Sequence, residues 1–163
     1  MSIVATLVVG SDGSTSKESR SAGVSSVADR QVFLQRRREV DCIIIGGNTA
    51  RHEPYNRTPV PLVVISRSLV NPVRGNHLAL LWNCSPEQAV KKARIQFGDK
   101  ILIEGGISMI NELIDHGVID QLELSVTPAS GGDERIDWKE LLARFSHCTS
   151  HEVEGTTFYS AHN

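Results

Sequence analysis

The sequence lacks the features that mark several large protein classes. Only three cysteines occur in 163 residues, Cys42, Cys84 and Cys148. They form no CxxC pair, so neither a disulfide framework nor a zinc site is expected, and they read as reduced thiols. Aromatic residues are scarce, at 5%. No apolar run is long enough to span a bilayer. Met1-Ser2-Ile3-Val4 has no basic segment ahead of its apolar run. It reads as the start of a strand and not as a leader, which makes the cytoplasm the expected compartment. Charge of one sign is lacking too. Seventeen basic and nineteen acidic residues leave a formal net charge of -2, so neither nucleic acid nor a membrane is an expected partner. The six histidines show no ligand spacing, and no metal is expected. Neither GxGxxG nor GxxxxGKS/T is present, which argues against a Rossmann fingerprint and a P-loop. Ser108 has no nucleophile-elbow context, which argues against a serine hydrolase.

What is present reads as an ordinary globular chain, 40% hydrophobic and 22% charged. Its length suits one domain over residues 1–163. Apolar, β-branched runs predict strands at 3–9, 41–45, 61–65, 78–82 and 100–104, and alternation predicts one at 122–127. Two final strands, 148–153 and 157–161, flank a hairpin turn at Glu154-Gly155. Ser26 caps a helix from Val27, with Val27, Phe33, Leu34 and the later Val40 as its apolar face. Ser85-Pro86-Glu87 starts a second helix, which runs to about Phe97 and stops at Gly98. A third covers 107–116 and ends at Gly117. Residues 10–26, rich in Gly and Ser, read as a long loop. Strands alternate with helices and strands then close the chain, which implies an α/β fold with a mostly parallel sheet and an antiparallel C-terminal edge.

One design occurs twice: a buried strand, a glycine pair, then a helix start. It appears at Ile43-Ile44-Ile45-Gly46-Gly47-Asn48-Thr49 and at Leu102-Ile103-Glu104-Gly105-Gly106-Ile107-Ser108. Glycine lets backbone approach a bound group, and the helix start offers N–H groups to an anion. Tight turns use the same residues, but two such sites in one small chain point to a nucleotide. Ser66-Arg67 ends the third long strand, where a hydroxyl and a guanidinium suit the extra phosphate of NADPH; an ordinary surface arginine fits the same position. Glu104 ends an apolar strand, so its carboxylate is either partnered or functional. Glu53 lies in the polar loop after Thr49.

The order of these motifs resembles the reductase domain of RibD-type riboflavin-biosynthesis proteins, a family with the dihydrofolate-reductase-like fold. The residues that carry it are Ser11-Asp12-Gly13, Val24-Ser25-Ser26, Arg37, residues 41–49 and 61–67, and Ile103-Glu104-Gly105-Gly106. Ile119-Asp120-Gln121-Leu122, Thr127-Pro128 and Gly131-Gly132 follow. The zinc motif of the family's deaminase half is not in this sequence, so deamination is not expected. The resemblance implies a three-layer fold with helices flanking a mostly parallel sheet. It implies NADPH-dependent reduction of the ribose of 5-amino-6-(5-phosphoribosylamino)uracil, or of the diaminopyrimidinone analogue, to a ribityl chain. A dihydrofolate reductase, another small-molecule reductase of this fold, and a non-catalytic nucleotide-binding homologue are the alternatives. For the cofactor it implies Val8, Gly46, Gly47, Thr49, Ser66, Arg67, Gly105, Gly106, Ile107, Ser108 and Met109, with a cis Gly105–Gly106 peptide. For the phosphorylated pyrimidine it implies Ser21, Arg37, Asn56, Arg57 and Glu104, the two arginines suiting a phosphate. Glu53 matches an acidic position beside the nicotinamide and is the candidate for orienting water or relaying a proton. A homodimer is the implied assembly. Two positions depart from the family: Gly10 replaces a serine, and Gly23 a tryptophan.

Overall fold

The computed structural model describes residues 2–163. Its strands are β1 (Ser2–Gly10), β2 (Ser14–Ser16), β3 (Cys42–Gly46), β4 (Leu62–Ile65), β5 (Ala79–Trp82), β6 (Lys100–Glu104), β7 (Gln121–Thr127), β8 (Glu134–Arg135), β9 (His147–Val153) and β10 (Thr156–His162). Its helices are α1 (Val27–Arg36), α2 (Gly47–His52), α3 (Pro86–Phe97), α4 (Ile107–Asp115) and α5 (Trp138–Leu142). Eight strands form one sheet in the order β5-β4-β3-β6-β1-β7-β10-β9, while β2 pairs with β8. This is the expected α/β class. The residues group into two compact units: Arg36–Asp120 with the β1 residues up to Ala5, and Thr6–Gln35 with Gln121–Asn163.

The first unit is parallel. β4 pairs with both β3 and β5, and β6 pairs with β3, all in parallel register. Ile43, Ile44 and Ile45, Leu62, Val63 and Val64, and Ile101, Leu102 and Ile103 are all buried. Consecutive buried side chains point to opposite faces, so both faces of these strands are covered, which is why the runs are apolar throughout. α3 lies on β3, β4 and β6. Its start is as predicted: Ser85 Oγ accepts the Gln88 N–H and the Gln88 side chain accepts the Ser85 N–H. Cys42 sits in this core, and burial pushes its thiol up to about 12. Cys148, in contrast, is exposed. Iodoacetamide at pH 8 should therefore label Cys148 in the native protein and reach Cys42 only after denaturation. Equal labelling of the two, read by peptide mass mapping, would mean that β3 is not a core strand.

The second unit is antiparallel. β10 pairs with β7 on one side and with β9 on the other. Val153 faces Thr156 across Glu154-Gly155, which take φ 50° and 81°. That is the left-handed pair a two-residue hairpin needs. Ser26 caps α1 as expected, its Oγ accepting the Asp29 N–H at 3.1 Å.

Two expectations fail here. α1 buries Ala28 and Asp29, whereas Val27 is 72% exposed and Leu34 39%. The apolar residues of this segment are too unevenly spaced to make a stripe, and Asp29 can turn inward because Ser25 donates to its carboxylate at 2.6 Å. The supposed loop at 10–26 contains β2 and a short 3-10 helix at Ser21–Gly23. Asp12 organises it by accepting from the Ser14 hydroxyl (2.6 Å), the Ser14 N–H (3.1 Å) and the Gly131 N–H (2.8 Å). The Ser14 hydroxyl, ahead of the backbone donors, holds the Asp12 carboxyl well below the usual carboxylate range. Side-chain bonds of this kind leave no periodic trace. β8 and α5 are also additions to the sequence reading.

Candidate active site

The first unit has a topological switch point. From β3 the chain moves outward to β4 and β5, then returns by α3 to β6 on the other side of β3. Ligands in open α/β sheets bind beyond the carboxyl ends of strands at such a point. Both glycine pairs sit there. The paired register Ile44↔Ile103, continued by two residues, puts Gly46 level with Gly105, and Gly46 also pairs with Ile65 just before Ser66.

Contacts place the two pairs together. A Cβ on Gly105 would lie 3.0 Å from Thr49 Cγ2 and 3.1 Å from Thr49 Oγ1. A Cβ on Gly47 would meet Ser66 Oγ at 3.0 Å. Gly105 and Gly106 take φ +70° and +72°, which glycine alone adopts without strain. No peptide bond among the described residues is cis, so the expected cis Gly105–Gly106 bond is corrected. Left-handed backbone at both residues makes the turn instead. Gly106 then leads into α4, whose start has no side-chain cap. The first turn, Ile107, Ser108 and Met109, therefore lies at the carboxyl end of β6 with amides that the helix itself cannot satisfy.

Glu104 is partnered. Arg37 donates to it twice, Nε to Oε1 at 2.8 Å and Nη2 to Oε2 at 2.7 Å, and the Tyr55 hydroxyl donates to Oε2 at 2.7 Å. The Arg37 guanidinium lies 4.8 Å from the centre of the Tyr55 ring. Glu104 is 1% exposed and Arg37 6%. Burial opposes the Arg37 charge, but the bond and charge of Glu104 outweigh it and raise its pKa. Burial, and then the Glu104 charge, hold the Tyr55 phenol well above its ordinary value. Arg37 and Glu104, expected to face the substrate, thus engage each other. Tyr55 was not anticipated, because it stands in a polar, irregular loop with no apolar periodicity. Asn76, also unanticipated, fixes that loop by donating to the Tyr55 carbonyl (3.1 Å) and to Thr58 Oγ1 (2.9 Å).

Glu53 follows α2, half-buried, its N–H donating to the Thr49 carbonyl at 2.9 Å. Asn56, Arg57 and Arg67 are exposed in the same unit. Val8 and Ser21 belong to the second unit.

The model of the family described as the RibD C-terminal domain matches residues 1–143. The chain belongs to the RibD C-terminal domain family. Two solved structures show the same fold. One is a diaminohydroxyphosphoribosylaminopyrimidine deaminase/5-amino-6-(5-phosphoribosylamino)uracil reductase from Thermotoga maritima, at 14% identity and TM-score 0.69. The match covers 99% of this chain, which spans only 56% of that longer protein. The other is a pyrimidine reductase-like protein from Corynebacterium diphtheriae, at 15% identity and TM-score 0.69, covering 99% of this chain and 91% of that one. No curated protein matches in sequence. The two departures from the RibD pattern have a local cause. A Cβ on Gly10 would lie 2.5 Å from the Ala129 carbonyl oxygen, and one on Gly23 2.5 Å from Lys17 Cβ. Neighbouring segments occupy the room that a serine or tryptophan would need.

Proposed function

We propose that this chain is an NADPH-dependent reductase of riboflavin biosynthesis. Its substrate in this reading is 5-amino-6-(5-phosphoribosylamino)uracil, or the diaminopyrimidinone analogue, whose ring-opened ribose becomes a ribityl chain. Gly46 carries the reading. Its backbone is extended, φ −84° and ψ 161°, so any residue could adopt it. A Cβ there would meet nothing within 4 Å. Neither conformation nor internal packing requires glycine at this position. The open space is best explained by something outside the chain, at the switch point where dinucleotides bind.

The surrounding residues fit that group. Gly46, Gly47, Thr49, Gly105 and Gly106, with the α4 amides of Ile107, Ser108 and Met109, would hold the pyrophosphate. Ser66 and Arg67 would lie at the adenosine end. NADPH, when bound, supplies the hydride. Glu53 would orient a water or relay the proton that the reduction consumes. Asn56 and Arg57 are the proposed substrate contacts of this unit. Arg37 and Glu104 would act there by fixing the end of β6 from which the glycine turn departs.

The test is NADPH oxidation by the purified chain, followed by absorbance, with and without the phosphoribosylaminopyrimidine. Oxidation that depends on this substrate, and that dihydrofolate does not replace, is the expected result. Tight NADPH binding with no turnover of the pyrimidine would defeat the assignment.

A further inference from the structure

We propose that Asn76 is a positioning residue for the substrate: its buried side-chain amide holds the Asn56-Arg57 pair in the arrangement that takes the phosphorylated pyrimidine. This rests on the reading above, in which Asn56 and Arg57 contact that substrate.

The loop between α2 and β4 is braced from both sides of this pair. Its central sequence is Pro54-Tyr55-Asn56-Arg57-Thr58-Pro59. The outer prolines have a fixed φ. Inside them, Tyr55 and Thr58 are both held by one side chain. Asn76 Nδ2 donates to the Tyr55 carbonyl at 3.1 Å and to Thr58 Oγ1 at 2.9 Å. Thr58 passes its own proton to the Val60 carbonyl at 2.9 Å, and the Tyr55 hydroxyl is tied to Glu104. Two residues remain between the clamped positions, and both are exposed.

Asn76 is only 6% exposed. Its Oδ1 accepts the Leu78 N–H at 2.9 Å, at the entry to β5. A backbone N–H can only donate, so this bond fixes which end of the amide faces the loop. Both amide hydrogens are then spent on Tyr55 and Thr58, and the anchor has no donor left over.

The clamped pair serves no contact within the chain. Neither Asn56 nor Arg57 has a side-chain hydrogen bond or an ion pair among the described residues. Docking of the loop does not explain the clamp either, because the Tyr55 ring already packs into the core with Ile43, Leu62 and Leu102. What Asn76 adds is backbone order at two exposed polar residues. A guanidinium suits the substrate's phosphate. Ordering the backbone that carries it removes part of the entropy cost of binding.

The test measures KM and kcat for the phosphoribosylaminopyrimidine, and Kd for NADPH, in wild type, Asn76→Ala and Thr58→Val. Thr58→Val removes one clamp bond at nearly constant volume, so it reports even where Asn76→Ala does not fold. In Asn76→Ala the KM should rise about five- to tenfold, the worth of one or two hydrogen bonds, with kcat and the NADPH Kd unchanged. Thr58→Val should move KM the same way by a smaller factor. In an Arg57→Ala background, Asn76→Ala should change KM far less, because the group it orders is gone. Trypsin should cut native Asn76→Ala after Arg57 faster than native wild type. An unchanged KM in the folded variants, an equal KM rise with and without Arg57, unchanged cleavage or a loss of NADPH affinity would overturn the role of Asn76 and leave the reductase reading intact. Wild type that turns over no pyrimidine would overturn both.

Discussion

Glu104→Ala should destabilise the protein by about 3–5 kcal/mol, the usual cost of removing one partner from a buried ion pair. Arg37 would then be left buried without the carboxylate that now accepts two of its bonds. Its charge cannot be shed, because a guanidinium does not deprotonate in a protein. Arg37→Met alone should cost a similar amount by stranding Glu104. The double variant Arg37→Met/Glu104→Leu should recover most of the loss, since apolar residues of similar volume often replace a buried pair at little cost. Tyr55→Phe keeps the ring under the guanidinium and removes one bond, for a loss of roughly 1–3 kcal/mol. Urea unfolding at pH 7 reads all four. A Glu104→Ala loss below about 1 kcal/mol would be the value for a surface pair and would contradict the burial described.

Gly46→Val should leave the fold intact and weaken NADPH by about 5–150-fold, the equivalent of 1–3 kcal/mol of overpacking. The position permits this separation. Extended backbone accepts a β-branched residue, and no protein atom stands within 4 Å of the new Cβ. The glycines across the site are poorer probes. A side chain on Gly105 or Gly106 must adopt φ near +70°, which itself costs about 1–2 kcal/mol, so lost binding there would mix with lost stability. For Gly46→Val, calorimetry should show an unchanged unfolding midpoint without ligand and little cofactor-induced shift. A shift equal to that of wild type would mean that nothing binds where the side chain points.

The parallel half of the fold was legible because its signals are local and redundant. Three adjacent strands carry unbroken apolar runs, at 43–45, 62–65 and 101–103, each followed within two residues by Gly or Ser, and Ser85-Pro86 and Gly98 punctuate α3. The glycine pairs were legible for the same reason: a strand, two glycines and a helix start can be read in a dozen residues. What escaped depends on partners far apart in sequence. Tyr55 meets Glu104 across 49 residues, and Asp12 reaches Gly131 across 119. Neither tyrosine in a polar loop nor aspartate in a Gly/Ser stretch announces such a partner. α1 misled because Val27 and Leu34 look like core residues, while Ser25 lets a carboxylate take the inward position. The trans turn at Gly105-Gly106 shows the limit of resemblance, since a shared motif fixes the residues but not the isomer of the bond between them.

The cradle's two halves come from segments nearly sixty residues apart and meet only once β6 has docked beside β3. Until that late pairing closes the gap, a growing chain has just one glycine doublet in position and nothing that could grip a dinucleotide. In the cofactor reading proposed above, affinity for the dinucleotide would therefore arrive all at once, with β6, and a variant without β6 would bind none.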